Sequence, residues 1–257
     1  MVERGIPPTP GTARGTAIVL AALTATASLA GGARAADSPT QRHEVTIAEL
    51  FPPKDVALLS RTLRADKHVI FRVRVPPGDG PHGVLVFINP GNEADLLDGW
   101  ADVLDRHDLV WIAAENFGND KPGTQRGLVA LLALKHLTRI TRLDDDRRYI
   151  GGMSGGGKMA SQVLSKFPAF FSGALCIVGA DPVPSRVLRT AAMTAKRVVF
   201  MTGDRDFNHY EVLQVYRSFR KAGLSASQLV DLPGFGHQYP DAAQLDAALA
   251  LLDRRAE

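Results

Sequence analysis

Cysteine is almost absent from this chain of 257 residues, which contains only Cys176. A single cysteine cannot form a disulfide bond within the molecule. Its neighbours, Leu175 before it and Ile177 after it, are apolar. Cys176 is therefore predicted to be a buried thiol in a strand, where it packs as a small hydrophobic side chain.

An apolar run long enough for a typical transmembrane helix is also missing at the N-terminus. The run Thr16–Ala30 is rich in alanine and threonine and is shorter than the ~20 apolar residues that a span needs. Two arginines precede it, and Ala33-Arg34-Ala35 fits the A-x-A cleavage signal. Residues 1–35 are thus predicted to be a secretory leader, which implies a secreted or periplasmic protein without a stable membrane anchor.

The chain has little excess charge of either sign. Residues 1–35 contain Arg4, Arg14, Arg34 and Glu3, so their removal lowers the formal charge from +3 to +1. The remaining basic residues are interspersed with acidic ones. This pattern indicates neither a nucleic-acid partner nor attraction to an anionic membrane.

Motifs that hold phosphates or metal ions are absent from the sequence. The chain has no G-x-x-x-x-G-K-[ST] phosphate loop and no H-E-x-x-H zinc motif, and the run Asp144–Asp146 lacks the spacing of a calcium loop. We expect no cofactor and no metal site.

Short apolar runs alternate with helical patterns through most of the chain, which favours a single α/β domain at residues 68–257. The predicted strands are Val69–Val75, Gly83–Ile88, Leu109–Ala114, Tyr149–Met153, Ala174–Val178, Val198–Thr202 and Gln228–Leu232. The predicted helices are Ala94–Leu104, Leu128–Leu137, one after Ser154, Tyr210–Lys221 and one capped by Asp241. This order predicts a mostly parallel central sheet with helices on both faces.

Two regions outside this alternation bear on the architecture. Residues 36–67 form an N-terminal segment with weak patterning, in which Pro52-Pro53 excludes a regular element across the pair. Within the alternation itself, the apolar and charged side chains of the strand Val69–Val75 take turns along it, which predicts an antiparallel strand at the edge of the sheet. The connection Gly179–Lys196 is too short for a large lid domain, so we expect an uncovered site.

The residues around Ser154 match a motif that carries chemistry. Gly152-Met153-Ser154-Gly155-Gly156 fits G-x-S-x-G between a predicted strand and a predicted helix, which is the context of a nucleophile elbow. Gly-rich turns also match this pattern by chance. The three glycines after Ser154 predict an uncrowded Gly155 amide and an oxyanion side open to a bulky ester.

A serine nucleophile needs a base and an orienting acid, which follow it in the order acid then histidine in such folds. His237 follows the last predicted strand, whereas His209 begins a helix and is expected at the surface. Asp206 follows the strand Val198–Thr202 and is the preferred acid, with Asp204 and then Asp181 as alternatives.

Acyl transfer also needs hydrogen-bond donors for the oxyanion. The amide of Gly155, directly after the serine, is the first predicted donor. The loop after the strand Gly83–Ile88 offers the amides of Gly91 or Asn92 as the second, since Pro90 has no N–H. The same residues are also compatible with an ordinary turn.

These motifs resemble the α/β-hydrolase superfamily over about residues 68–257. Gly152-x-Ser154-x-Gly156, Gly203-x-x-Asp206 and Gly236-His237, with the leader and the missing lid, are most similar to secreted esterases grouped with polyhydroxybutyrate depolymerases, feruloyl esterases and acetylxylan esterases. The resemblance implies Ser154 as nucleophile, Asp206 as acid, His237 as base and Gly155 as oxyanion donor. The sequence departs from many lipases in having Pro90-Gly91-Asn92 in place of His-Gly-Gly.

The sequence therefore predicts a secreted serine hydrolase that cleaves a small-molecule or polymer-borne ester through an acyl-enzyme. A peptidase or amidase is the alternative among enzymes, because the same three residues cleave amides. A hydrolase fold that only binds its ligand is the alternative outside enzymes.

Overall fold

The computed structural model describes residues 40–253, so the predicted leader lies outside the described residues and stays a prediction. The strands are β1 Gln41–Val45, β2 Val69–Arg74, β3 His82–Ile88, β4 Leu109–Ala114, β5 Leu143–Met153, β6 Gly173–Ile177, β7 Arg197–Arg205 and β8 Ser227–Gly236. The helices are α1 Ile47–Leu50, α2 Pro53–Leu59, α3 Trp100–Arg106, α4 Gly123–Leu137, α5 Gly155–Lys166, α6 Ser185–Leu188, α7 Ala191–Thr194, α8 His209–Ala222 and α9 Ala242–Leu252.

All the strands of the described chain join one sheet in the order β1-β2-β4-β3-β5-β6-β7-β8. The pairs β1/β2 and β2/β4 are antiparallel, and every other pair is parallel. The predicted mostly parallel sheet is therefore confirmed. In the register of its centre, Ile88 lies beside Gly152 and Met153 beside Ile177, so β3, β5 and β6 end at the same edge.

Helices cover both faces of the sheet, because the central strands are apolar on both sides. In β3, Val84 and Val86 pack with α4, α5 and α8 on one face, while Leu85 and Phe87 pack with α3 and α9 on the other. Cys176 in β6 is fully buried, as the sequence predicts. The carboxyl ends of the strands remain available for a site.

The N-terminal segment contains structure that its sequence pattern does not predict. β1 pairs with β2 over Gln41–Val45, so β2 is an inner strand and the predicted edge position is wrong. Thr46 caps α1 with a capping box to Glu49. Pro53 is the first residue of α2, where its missing N–H costs no hydrogen bond.

Helix α3 begins at Trp100 and not at Ala94, so the predicted start is too early. Gly99, just before it, has φ of 76°, a left-handed conformation that interrupts a helix. The segment that the sequence pattern assigns to the first turns of α3 is therefore a loop near the edge where β3 ends.

The connection between β6 and β7 contains only the short helices α6 and α7, so no large lid covers this edge of the sheet in the described chain. None of the helices between residues 40 and 253 combines the length and the apolar character required to cross a membrane.

A pair of histidines, the buried His136 and the partly exposed His43, attaches β1 to the last turn of α4. His136 is 7% exposed, its Nε2 lies 3.0 Å from Nδ1 of His43, and its ring stacks on Phe71. Burial, with smaller contributions from the nearby His43 and Arg139, lowers the pKa of His136 to about 4, and the acidic Glu49 opposes this only weakly.

This pair predicts acid sensitivity. Because the folded-state pKa of His136 is lowered from 6.5 to about 4, the unfolded chain binds more protons in that window and stability falls as pH falls through it. Between pH 7 and pH 4, the free energy of unfolding of the natural protein should fall by about 3 kcal/mol more than that of His136→Gln. Urea unfolding at each pH measures this, and identical pH profiles for the two proteins would contradict it.

Candidate active site

Ser154 occupies a sharp turn between β5 and α5. Its φ of 56° and ψ of −119° are strained values for a residue with a side chain, at a cost of about 1–3 kcal/mol. A Cβ at Gly152 would lie 2.4 Å from the carbonyl carbon of Gly156, and one at Gly156 would lie 1.7 Å from the carbonyl oxygen of Ile88. Both glycines are therefore sterically required.

His237 connects Ser154 to Asp206 in a chain of hydrogen bonds. Its Nε2 lies 2.8 Å from Oγ of Ser154, and its Nδ1 lies 2.7 Å from Oδ1 of Asp206. The three residues directly follow β5, β7 and β8, so the shared edge of the sheet brings them together. With the proton on Nδ1, the imidazole donates to the carboxylate and accepts from the serine hydroxyl.

The carboxylate of Asp206 is fully buried and well supplied with donors. Thr202 donates its hydroxyl to Oδ2 at 2.9 Å, and the amide of Asn208 donates to Oδ1 at 3.0 Å. Together with His237 they satisfy both oxygens, which offsets the cost of burying the charge. The residue pattern does not reveal the role of Thr202, because a threonine in a strand is commonplace.

The alternative acids have other partners. Asp204 accepts a 2.6 Å hydrogen bond from the amide of Gly234, which has φ of 73°, and so fixes the turn before His237. Asp181 accepts from the side chain of Gln162 on α5. His209 pairs with Asp231 at 3.0 Å near the surface, as expected of a residue outside the site.

Phe207 is a neighbour of the site that the sequence analysis does not identify. Its ring is 78% exposed and stacks on the imidazole of His237, with centroids 3.9 Å apart and planes 24° apart. An exposed aromatic ring in this place shields one face of the imidazole from water. Nothing in the local pattern distinguishes this phenylalanine from an ordinary loop residue.

The predicted oxyanion donors lie in two segments, the start of α5 directly after Ser154 and the loop after β3. Gly155 is the first residue of α5, so its amide has no acceptor within the helix. The amides of Gly91 and Asn92 likewise donate to no acceptor among residues 40–253. Amides without a protein acceptor are what an oxyanion requires.

Hydrogen bonds join the loop after β3 to the loop after β4. The amide of Asn119 donates to the carbonyl of Pro90 at 2.8 Å, and the amide of Asn116 donates to the carbonyl of Asn92 at the same distance. The amide of Gly118 donates to Oδ1 of Asn92 at 3.1 Å. The backbone around Gly91 is thereby fixed.

The space beside Gly155 is occupied and not open. A Cβ at Gly155 would lie 2.1 Å from Oδ1 of Asn119, so the glycine is needed to admit the asparagine side chain. The three glycines therefore do not leave the Cα of Gly155 uncrowded, because Asn119 from a distant loop lies against it, while the openness of the amide itself stays a prediction.

A cavity of about 190 Å³ lies between the loop after β3 and the segment after His237. Tyr239 borders it and donates its hydroxyl to Oδ1 of Asn89 at 3.2 Å. Four of its nine lining residues are aromatic, and two carry carboxylates, Glu93 and Asp95. The lining comprises Phe87, Asn89, Gly91, Glu93, Asp95, Leu97, Trp100, Trp111 and Tyr239.

The same fold occurs in solved structures of hydrolases. A ferulic acid esterase matches at a TM-score of 0.58 and 18% identity, over 82% of this chain and 94% of that chain. The carboxylesterase EstE1 from a metagenomic library matches at 0.58 and 15%, over 83% and 90%. The chain has the α/β-hydrolase fold.

An α/β-hydrolase fold is shared by enzymes with different substrates. A protein of Bacteroides ovatus assigned as a dipeptidyl aminopeptidase IV matches at a TM-score of 0.55 and 16% identity, over 83% of this chain and 35% of that longer chain. No protein-family model matches the sequence, and no curated protein does.

The α/β-hydrolase geometry can perform nucleophilic chemistry at Ser154. An imidazole that accepts from a serine hydroxyl can remove its proton, and a buried carboxylate on the other nitrogen stabilises the resulting cation. Among residues 40–253, no cluster of three or more histidine, cysteine or acidic side chains is arranged to hold a metal ion.

The separate contacts of Asp204 and Asp206 predict different effects of removing each charge. Asp206→Asn should lower the rate at which a fluorophosphonate probe labels Ser154 by at least about 10²-fold, because the imidazole loses its orienting charge. Asp204→Asn is the matched control and should stay within about threefold of the natural protein, since it only weakens a turn. Equal labelling rates in the two variants would exclude Asp206 as the orienting acid.

Proposed function

We propose that this chain is a serine hydrolase that cleaves carboxylic esters through an acyl-enzyme. The main support is the hydrogen-bonded chain from Ser154 through His237 to the buried Asp206. Stability of the sheet does not require these three groups in line, and the strain at Ser154 adds a cost that function explains. The esterases among the similar folds favour an ester as substrate.

The proposed reaction uses side chains and backbone amides of this chain. His237 takes the proton of Ser154 as Oγ attacks the ester carbonyl carbon, and Asp206 holds the imidazole and stabilises its cation. The amide of Gly155, with that of Gly91 or Asn92, donates to the oxyanion. His237 then gives its proton to the departing alcohol. Water next attacks the acyl carbon as His237 takes a proton from it, and the bond to Oγ breaks as that proton returns to Ser154, which releases the acid.

The cavity of about 190 Å³ beside Gly91 and Tyr239 limits the size of the substrate group that it can receive. It is smaller than the roughly 300–1,000 Å³ of sites that enclose drug-sized ligands. We therefore propose that it receives a short or flat group on one side of the ester, while the uncovered edge of the sheet leaves the other side free to be large or part of a polymer.

Cleavage of an amide is the second candidate. The similarity to the protein assigned as a dipeptidyl aminopeptidase IV favours it, since that protein has the same fold. An amine is a poorer leaving group than an aryl alcohol, so rates on matched esters and amides separate the two functions.

The proposal predicts hydrolysis of p-nitrophenyl acetate and butyrate at rates far above those of the matching anilides, with slower turnover of long acyl chains. Ser154→Ala should lower kcat by at least about 10³-fold, because the nucleophile is lost. Feruloyl and polyhydroxyalkanoate esters extend the series toward aromatic and polymeric substrates.

Three results would contradict the proposal in different ways. Activity that survives Ser154→Ala removes the serine mechanism, and faster cleavage of anilides favours the peptidase. An intact protein that binds esters without turnover favours the binding role.

Production of the full chain in a bacterial host with an export pathway tests secretion in the same preparation, since the purified enzyme should begin at Ala36 and not at Met1.

A further inference from the structure

Arg126 is a buried cation beside the proposed site. It lies in the first turn of α4 and is 6% exposed. A cation there is unfavourable in two respects, since burial removes its hydration and the N-terminus of a helix has a partial positive charge. Burial lowers the pKa of its guanidinium, which the charge of the exposed Asp120 only partly opposes.

No carboxylate of the described chain binds Arg126 directly, so the charge of Asp120 offsets only part of this cost. Among residues 40–253, no acidic side chain forms an ion pair with it. Its hydrogen bonds go to three backbone carbonyls: Nε donates to Phe117 at 3.2 Å, Nη2 to Asn89 at 3.0 Å and Nη1 to Gly155 at 3.4 Å.

These three carbonyls belong to three segments that contact one another and that include the proposed oxyanion donors. Asn89 leads into the loop that carries Gly91, and Phe117 lies in the loop that packs Asn119 against Gly155. Gly155 is itself the first proposed oxyanion donor. A planar guanidinium can bridge all three because its N–H groups diverge in fixed directions, whereas an ammonium is a single point.

We propose that Arg126 is a positioning residue for acyl transfer, which holds the segments of Asn89, Phe117 and Gly155 so that the oxyanion donors are in place before the substrate binds. This inference rests on the proposed function. Preorganised donors stabilise the transition state more than the ground state, so the loss of Arg126 should affect kcat more than KM.

Arg126→Lys and Arg126→Met test the proposal on the full enzyme, with p-nitrophenyl acetate as substrate and a trifluoromethyl ketone as a tetrahedral analogue. In both variants kcat per titrated active site should fall about 10–100-fold, because displacement of a donor by about 1 Å has effects of this size. Affinity for the ketone should fall in parallel, while KM changes less than about threefold.

Arg147→Met is the matched control. Arg147 is also a largely buried arginine, but it lies in the first half of β5, away from Ser154 at the end of that strand, and binds Asp253 at 2.7 Å. This variant should lower the unfolding midpoint and leave kcat per active site unchanged. Arg126 variants that behave in the same way would have a purely structural role, which overturns the proposal.

If Arg126→Met does not fold, Arg126→Lys, which keeps the charge, still distinguishes a positioning role from a purely structural one. Normal kcat and normal ketone affinity in Arg126→Lys would overturn the positioning role while the esterase proposal stands. An inactive natural enzyme that the fluorophosphonate does not label would overturn both.

Discussion

The turn at Ser154 depends on the close approach of three backbone segments. The carbonyl of Ile88 at the end of β3 lies where a side chain at Gly156 would project, and Gly152 lies against Gly156 in turn. Only glycines allow β3, β5 and the start of α5 to meet at this distance. The strained conformation of Ser154 follows from that contact, and it directs the hydroxyl toward the edge where the parallel strands end.

The remainder of the site results from the direction of the strands. Since β5, β7 and β8 run parallel, turns that lie far apart in the sequence reach one edge, where His237 lies between Ser154 and Asp206. The same edge contains the loops after β3 and β4, which Arg126 bridges through their carbonyls. The sheet thus fixes the positions of the turns at this edge, and the loops carry the polar groups of the site.

The sequence predicts those parts of the site that depend on local steric rules and on chain order. Ser154 is identified by its glycines, and Asp206 and His237 by following predicted strands in the expected order. Contacts between distant segments are not predictable in this way. The sequence prefers Asp206 to Asp204, but the separate contacts of the two carboxylates, with His237 and with Gly234, are visible only in the folded chain. The packing of Asn119 on Gly155 likewise depends on two loops meeting.

The fold shows the same division. Buried parallel strands have a strong apolar signal, and β4 has the predicted limits, Leu109–Ala114. β1 pairs with β2 but has only Val45 as a buried residue, so its sequence shows no alternation of apolar and polar side chains from which a strand could be predicted. Arg126 resembles an ordinary charged residue at a helix start, because its burial depends on carbonyls that only the folded chain brings together.

The central claim is that Ser154 is the group to which the acyl chain is transferred. Rapid acid quenching during turnover of p-nitrophenyl acetate, followed by proteolysis and mass spectrometry, tests this most directly. The account predicts one acetyl group on the peptide that contains Ser154 in the natural enzyme and none in His237→Ala on the same timescale. Turnover with the acetyl group on another residue, or with no acetylated peptide under conditions that slow deacylation, would contradict it.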